Sequence, residues 1–331
     1  MDAVDALREI ATLLERQRAS RYRSQAFRAA ADAVAALPAA QRSDPATLRR
    51  TKGVGQSSLA VVLEAQAGHV PGYLADLRAQ VGGGLESSLR PLLRGDLHAH
   101  SDWSDGLTPI ASMVDAARGL GHEYLALTDH SPRLRVAHGL SAERLARQLD
   151  EIGAYSGDGF TLLGGIEVDI LDDGALDQTP EMLARVDVVV ASVHSKLRMP
   201  PAEMSARMLQ AVAHPQTDVL GHCTGRLVEG ARGTRPASEF DAAAVFAACA
   251  ERGVAVEINS RPERQDPPDD LIARALDAGC LFSIDSDAHA PGQLSLLDHG
   301  AVRAERMGVP PERIVTTWPL KRLRAWLERP R

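Results

Sequence analysis

Cysteine is scarce in this 331-residue chain: Cys223, Cys249 and Cys280 are the full set, and no two stand at C-x-x-C spacing. An odd, scattered set of thiols suggests neither a disulfide framework nor a thiolate zinc site. A reducing cytoplasm is the expected compartment. Long apolar runs are also missing, since no segment stays apolar for the roughly 20 residues needed to cross a bilayer. The N-terminus carries Asp2 and Asp5 instead of the basic and then apolar stretch of an export signal. Internal repeats and low-complexity tracts are absent too, apart from one glycine- and serine-rich stretch. With 44% hydrophobic and 24% charged residues, the composition is that of an ordinary globular protein long enough for a barrel and a smaller domain.

The net charge of -7 argues at first against nucleic acid as a partner. An average over two domains misleads, however. Residues 1–90 hold 12 Lys and Arg against 9 Asp and Glu, whereas the rest of the chain carries a net -10. Several of those carboxylates fall in motifs where bound cations would offset them.

Val4, Leu7, Ile10, Ala11 and Leu14 recur at helical spacing behind an Asp2 cap, and Phe27, Ala30, Val34 and Leu37 repeat the pattern before Pro38. A short helical stretch after Pro45, the turn Thr51-Lys52-Gly53-Val54-Gly55 and an apolar helix through Leu59, Val62 and Leu63 follow. This reads as helix, hairpin, helix over residues 1–80. The Gly- and Ser-rich run Val81-Gly82-Gly83-Gly84-Leu85-Glu86-Ser87-Ser88 reads as a linker, residues 81–92. From residue 93 to 331, seven β-prone runs alternate with alanine- and leucine-rich helical stretches: Gly95–His100, Tyr124–His130, Thr161–Val168, Val186–His194, Asp218–His222, Val254–Asn259 and Leu281–His289. The expected fold class is α/β, a closed or distorted seven-stranded β/α barrel behind a small all-α domain. Nearly every run ends in His, Asp or Glu, and the C-terminal strand ends of such barrels are where catalytic groups gather.

Asp96-Leu97-His98-Ala99-His100 puts two imidazoles on one face of a strand, because side chains two apart point the same way. Asp105 lies in a Ser-Asp-Gly turn, His130 closes Thr-Asp-His, and Glu167 sits in Gly-Gly-Ile-Glu-Val-Asp. His194 closes Ala-Ser-Val-His, His222 lies in Gly-His-Cys-Thr-Gly-Arg, and Asp287 with His289 forms Ser-Asp-Ala-His. Imidazole and carboxylate donors mixed in this way suit a multinuclear hydrolase site of manganese, zinc or iron. Asp96, Asp129 and Asp285 flank these positions and read either as carboxylates orienting the imidazoles or as turn and cap residues. His69, His122, His138, His214 and His299 fall outside the pattern.

This ordered set resembles the polymerase and histidinol phosphatase (PHP) superfamily, whose members hold up to three divalent metals in a seven-stranded barrel. The resemblance implies that His98, His100, Glu167 and Asp287 hold one metal, Glu167, His194 and His222 a second, and Asp105, His130 and His289 a third. It implies a metal-dependent phosphoesterase. Gly-His-x-Thr-Gly-Arg at 221–226, Glu257-Ile258-Asn259 followed by Pro262 and Arg264, and Thr-Thr-Trp-Pro-Leu ending at Leu320 are most similar to the PHP domain of bacterial X-family DNA polymerases. Arg226 and Arg264 are the expected phosphate clamp, with Arg261 as either a third clamp or a solvated loop residue.

The head is similar to the N-terminal helix-hairpin-helix domain of those polymerases, on Phe27-Arg28-Ala29-Ala30 and Gly53-Val54-Gly55. Arg49, Arg50, Lys52, Gly53 and Gly55 are therefore the expected DNA contacts. Only the short linker separates head from barrel, leaving no counterpart of the polymerase palm and fingers. Val61 stands where the family's lyase lysine would, and without an amine no Schiff base forms. The leading expectation is a DNA end-processing enzyme, a manganese-dependent 3'-5' exonuclease or a 3'-phosphatase or phosphodiesterase in repair. A small-molecule phosphatase acting on histidinol phosphate or a nucleotide, and a silent DNA-binding module, are the alternatives.

Overall fold

The computed structural model describes residues 1–81, 85–230 and 233–329. The chain divides into two compact units, Met1–Gly84 with Ala290–Gln293, and Leu85–His289 with Leu294–Arg331. Of the linker expected over residues 81–92, positions 82–84 lie outside the described residues. Its later part is packed chain. Leu89 is buried in the barrel core, Arg90–Leu92 form a 3-10 turn, and Arg90 pairs with Asp298 at 2.8 Å. An apolar side chain within a polar stretch has anchored it.

The N-terminal unit holds α1 (Ala3–Arg16), α2 (Arg21–Ala35), α3 (Ala39–Arg42), α4 (Pro45–Arg50), α5 (Gln56–Gln66) and α6 (Gly72–Val81). The Asp2 carboxylate caps α1 by accepting from the amides of Val4 and Asp5. The apolar stripe of α1 packs with Phe27, Ala30 and Val34 of α2 into one core that also takes in Leu48, Val61 and Val62. Between α4 and α5 the chain turns through Gly53 at φ +96°, where a Cβ would come 3.3 Å from the Ala29 carbonyl oxygen. Only glycine fits that turn without strain. Glu15, buried on α1, pairs with Arg28 of α2 at 2.6 Å, a partnership that no local pattern announces.

The second unit is a barrel of seven parallel strands in sequential order: β1 (Gly95–Ala99), β2 (Tyr124–Leu127), β3 (Thr161–Asp169), β4 (Val188–Ser192), β5 (Val219–Leu220), β6 (Ala255–Asn259) and β7 (Leu281–Asp285). Parallel neighbours need crossover connections. Helices α7 (Ile110–Gly119), α8 (Ala142–Ile152), α9 (Pro180–Leu183), α10 (Pro201–Val212), α11 (Ala242–Arg252) and α12 (Asp269–Asp277) supply them, and α13 (Leu297–Arg306) and α14 (Leu320–Leu327) follow β7. The strands are buried on both faces, as their near-continuous apolar sequences require. Closure comes from a parallel bridge between Ala99 and Ala288 and a bond of 2.8 Å from the His100 amide to the Ala288 carbonyl.

Inside the barrel, Tyr124, Leu163, Val188, Val219 and Ala255 cluster with Trp318 and Trp326, whose rings meet edge to face at 6.2 Å. Those strand residues stand at or near N-terminal strand ends, so the tryptophans close that end of the barrel. The opposite ends carry the polar residues. The three cysteines are buried and unpaired. Among the described residues no helix is long and apolar enough to cross a membrane.

Candidate metal centre

Each strand but β6 delivers a donor at or just beyond its C-terminal end: His98 and His100 from β1, His130 after β2, Glu167 within β3, His194 after β4, His222 after β5, and Asp287 with His289 after β7. Asp105 arrives from the loop after β1. Glu167 lies at the centre. Its Oε1 is 3.2 Å from His194 Nε2 and 2.8 Å from His222 Nε2. Its Oε2 is 3.3 Å from His98 Nε2, 2.9 Å from His130 Nδ1 and 3.7 Å from His100 Nε2.

The donor atoms form three groups whose members lie within 4.8 Å of one another: His98, His100 and Asp287; His130, Glu167 and His194; and His100, Asp105, His130 and His289. With His222 held against Glu167, all nine residues singled out in the sequence meet at one barrel end. The grouping differs in detail from the expected sets, because His130 also faces Glu167 and His100 also faces Asp105 and His289.

The side chains fit divalent cations. His98 Nε2 and His130 Nδ1 approach Glu167 without hydrogen-bond geometry, His100 Nε2 lies 3.5 Å from Asp287 in the same way, and Nδ1 of His100 and of His222 are buried with no hydrogen-bond partner among the described residues. Orphaned polar atoms at this density are costly in a protein interior. Cations would satisfy them.

The electrostatics agree. Burial disfavours ionising Glu167, but the His98, His194 and His130 imidazoles outweigh it and hold the carboxyl well below its usual range. Burial likewise opposes charge on Asp287, where Arg264 and His100 prevail. Burial, with His289 and His130 alongside, pushes His100 down to about 3, so it stays a neutral donor. Against burial, Glu167 and Asp169 lift His194 to about 9.

Two carboxylates orient ligands, and neither was among those the sequence suggested. Glu257 of β6 is fully buried, with Oε1 2.6 Å from His98 Nδ1 and Oε2 accepting from the His222 amide. Asp169, two residues past Glu167 on the same face of β3, accepts from His194 Nδ1. That i+2 spacing was the available signal. Asp96, Asp129 and Asp285 touch no imidazole through their carboxylates. Asp129 gathers Ser101, Ser104 and Gln148. Asp96 accepts from the Ser286 amide and Asp285 from the Leu97 amide, which straps β1 to β7. Asp96 and Asp285 bond backbone because closing the barrel leaves β-edge amides that need acceptors.

The arginines also sort differently. Arg264 Nε is 3.1 Å from Asp287 Oδ2, and Arg261 Nη1 is 2.8 Å from the Asp287 carbonyl and 3.3 Å from His289 Nδ1. Both stand against the ligand set. Arg226, expected in the clamp, instead donates through Nε and Nη2 to the carbonyls of Arg264 and Gln265. Its guanidinium is thus tied to the carbonyls of the neighbouring loop. In the head, Arg49, Arg50, Lys52, Gly53 and Gly55 are all exposed at the end of α4 and on the hairpin, and Val61 is buried. None of His69, His122, His138, His214 and His299 enters the three donor groups.

Residues 96–261 match the PHP domain. The chain belongs to the PHP family. It is accordingly a phosphoester hydrolase, with a seven-stranded PHP barrel preceded by a helix-hairpin-helix domain matched over residues 1–70. The DNA polymerase/3'-5' exonuclease PolX of Bacillus subtilis (strain 168) is 36% identical over 239 residues, covering 72% of this chain. The chain spans only 41% of that relative's length. A probable phosphatase of Edwardsiella ictaluri (strain 93-146) is 28% identical over 248 residues, covering 71% of this chain and 94% of the relative. Among solved structures, a histidinol phosphate phosphatase of Lactococcus lactis subsp. lactis Il1403, complexed with zinc, L-histidinol and phosphate, is 19% identical with a TM-score of 0.48, covering 65% of this chain and 94% of its own.

Proposed function

We propose that this PHP hydrolase processes DNA ends, as a 3'-5' exonuclease or a 3'-phosphatase or phosphodiesterase in repair. The observation that carries the reading is the pairing of a helix-hairpin-helix domain with a PHP barrel in one chain. The 36% identity to a relative named for 3'-5' exonuclease activity supports it. In the head, the exposed hairpin brings backbone N-H groups and the start of α5 to a phosphate, with Arg49, Arg50 and Lys52 adding charge.

In the barrel, His98, His100, Glu167 and Asp287 would hold one divalent ion, Glu167, His194 and His222 a second, and Asp105, His130 and His289 a third. Manganese, zinc or iron suit these mixed donors. Such ions neutralise charge on phosphate oxygens and lower the pKa of water. The chain's own contribution is placement. Glu257 and Asp169 fix the imidazole planes of His98 and His194. Arg264 and Arg261 stand beside Asp287, where guanidinium N-H groups can donate to a bound phosphate, and Arg226 holds their loop. The buried, unpaired thiols fit a cytoplasmic setting.

A small-molecule phosphatase is the second reading, favoured by the probable phosphatase matched over 94% of its length. The deciding experiment incubates metal-loaded full-length protein with DNA carrying 3'-hydroxyl or 3'-phosphate ends and, in parallel, with nucleotides and histidinol phosphate. Preferential turnover of DNA ends is expected. Turnover confined to the small esters would select the second reading.

A further inference from the structure

The loop after β2, residues 131–140, is tied down by hydrogen bonds and carries exposed side chains. It leaves the barrel at His130 and returns there, the Leu140 amide donating to the His130 carbonyl at 2.7 Å. Ser131 is tied to β3 twice: its amide donates to the Glu167 carbonyl, and its hydroxyl accepts from the Asp169 amide at 2.9 Å. The Arg133 amide donates to Asp177 at 2.6 Å, and the Arg144 guanidinium donates to the carbonyls of His138 and Trp103. Gly139 packs so closely that a Cβ there would lie 1.8 Å from the Ser131 carbonyl oxygen.

Outward from this frame stand Arg133, Arg135 and Val136. The two arginines are exposed or nearly so, and their guanidinium groups make no hydrogen bond or ion pair among the described residues. Val136 is 89% exposed, more than any other large apolar side chain described. Pro132, Arg133, Arg135 and Asp177 line a cleft of about 480 Å³. The cleft is linked to the metal centre through Asp177, whose amide donates to the Asp169 carbonyl, and Asp169 orients His194. Asp177 accepts from the Arg133 amide through one carboxylate oxygen, and neither guanidinium group pairs with that carboxylate.

We infer that this cleft is a second phosphate subsite, which takes the phosphodiester of a polynucleotide strand next to the linkage held at the metal centre. Val136 lies against the sugar or base face of the adjoining nucleotide. The chemistry fits: guanidinium groups held by a rigid backbone bind phosphate oxygens in fixed geometry and lose little entropy doing so. A monoester has no second phosphate to place there. The inference rests on the DNA-end reading and refines it, because it makes strand length a determinant of affinity.

The test uses full-length, manganese-loaded protein, wild type and the double variant Arg133→Ala with Arg135→Ala. Each is assayed on a single-stranded oligonucleotide with a 3'-hydroxyl end and on bis-p-nitrophenyl phosphate. The oligonucleotide KM should rise about tenfold or more, and the dependence of log KM on log salt should flatten by about 0.7 for each phosphate that is no longer neutralised. The chromogenic ester should be hydrolysed within about twofold of wild type, since its binding needs no second subsite. Lysines at both positions should restore part of the salt dependence. If wild type shortens the oligonucleotide and the variant does so with the same KM and salt slope, the subsite is wrong while the nuclease reading stands. Equal losses on both substrates would mean that the loop supports the metal centre and binds no strand. A wild type that turns over the ester but neither shortens the oligonucleotide nor removes a 3'-phosphate from a DNA end overturns the DNA-end reading, and the subsite with it.

Discussion

The two ends of the barrel are built on opposite principles from the same seven strands. At the N-terminal end, Trp318 lies under the Arg322 guanidinium at 3.8 Å, its indole N-H donates to the Glu312 carbonyl, and the Tyr124 hydroxyl finds the carbonyls of Thr316 and Trp318. Apolar surface is buried there and these polar atoms are partnered. At the C-terminal end, imidazole nitrogens are buried without hydrogen-bond partners among the described residues, and imidazole and carboxylate donors crowd together. The comparison separates two kinds of residue: those whose loss should melt the barrel, and those whose loss should silence it.

Glu167 should show the largest effect, because it touches donors of all three expected sets. Glu167→Ala should cut phosphoester hydrolysis by about a thousandfold, on the scale of several kcal/mol of transition-state stabilisation, and elemental analysis should find fewer metal ions per chain. Circular dichroism should still report a folded barrel. A variant that keeps its metals and its rate would show that the centre lies elsewhere. At the other end, Trp318→Ala removes a large buried side chain and should destabilise the fold by about 3 kcal/mol, read as a lower Tm. Its kcat below the melting range should match wild type. If Trp318→Ala instead lost activity without losing stability, the division between the two ends would fail.

Glu257 tests the layer beneath the ligands. Glu257→Gln keeps the shape and an acceptor near His98 but removes the charge, so metal affinity should weaken by about 10- to 100-fold with a small change in Tm. Titration calorimetry with manganese measures this directly. Unchanged affinity would reduce Glu257 to a structural strap between His98 and the His222 amide.

How much of this was legible in the sequence follows the same division. The strand-end donors were legible because a donor at the end of a β-prone run is a local pattern, and His98 with His100 or Asp287 with His289 announces a shared face. The seven-strand rhythm was legible for a similar reason, since parallel strands buried on both faces read as short apolar runs. The partners of Glu257 and Asp129 were not legible. Glu257 meets His98 across 159 positions, and nothing local tells a carboxylate whether an imidazole or a serine will face it. The same holds for Glu15 and Arg28, whose pairing depends on how two helices cross. The contacts of Arg226 were not legible for a subtler reason: its motif places it in the loop after β5, but which carbonyls the neighbouring loop turns toward it is a property of the folded backbone.

Arg226 therefore makes the smallest and sharpest test of the comparison. As a brace, its guanidinium supplies hydrogen bonds to the carbonyls of Arg264 and Gln265, and charge-assisted bonds of this kind contribute about 1.5 to 3 kcal/mol when geometry is good. The side chain is only half-buried, so the destabilisation in Arg226→Ala should fall near or below the lower figure. Loosening the loop should also let Arg264 drift from Asp287, lowering kcat by about tenfold or less. A direct phosphate clamp predicts the reverse pattern. Removing it would raise KM or lower kcat/KM strongly, with Tm unchanged, because no bond within the protein would be broken. Arg264→Ala is the control, since its guanidinium already faces the ligand set and should behave as a clamp. Arg226→Lys completes the set: a lysine keeps the charge but cannot span both carbonyls in the guanidinium's fixed geometry. Lysine rescue of activity without rescue of Tm would return Arg226 to the clamp. Failure to rescue either would leave it as the brace that lets the functional end of the barrel keep its shape.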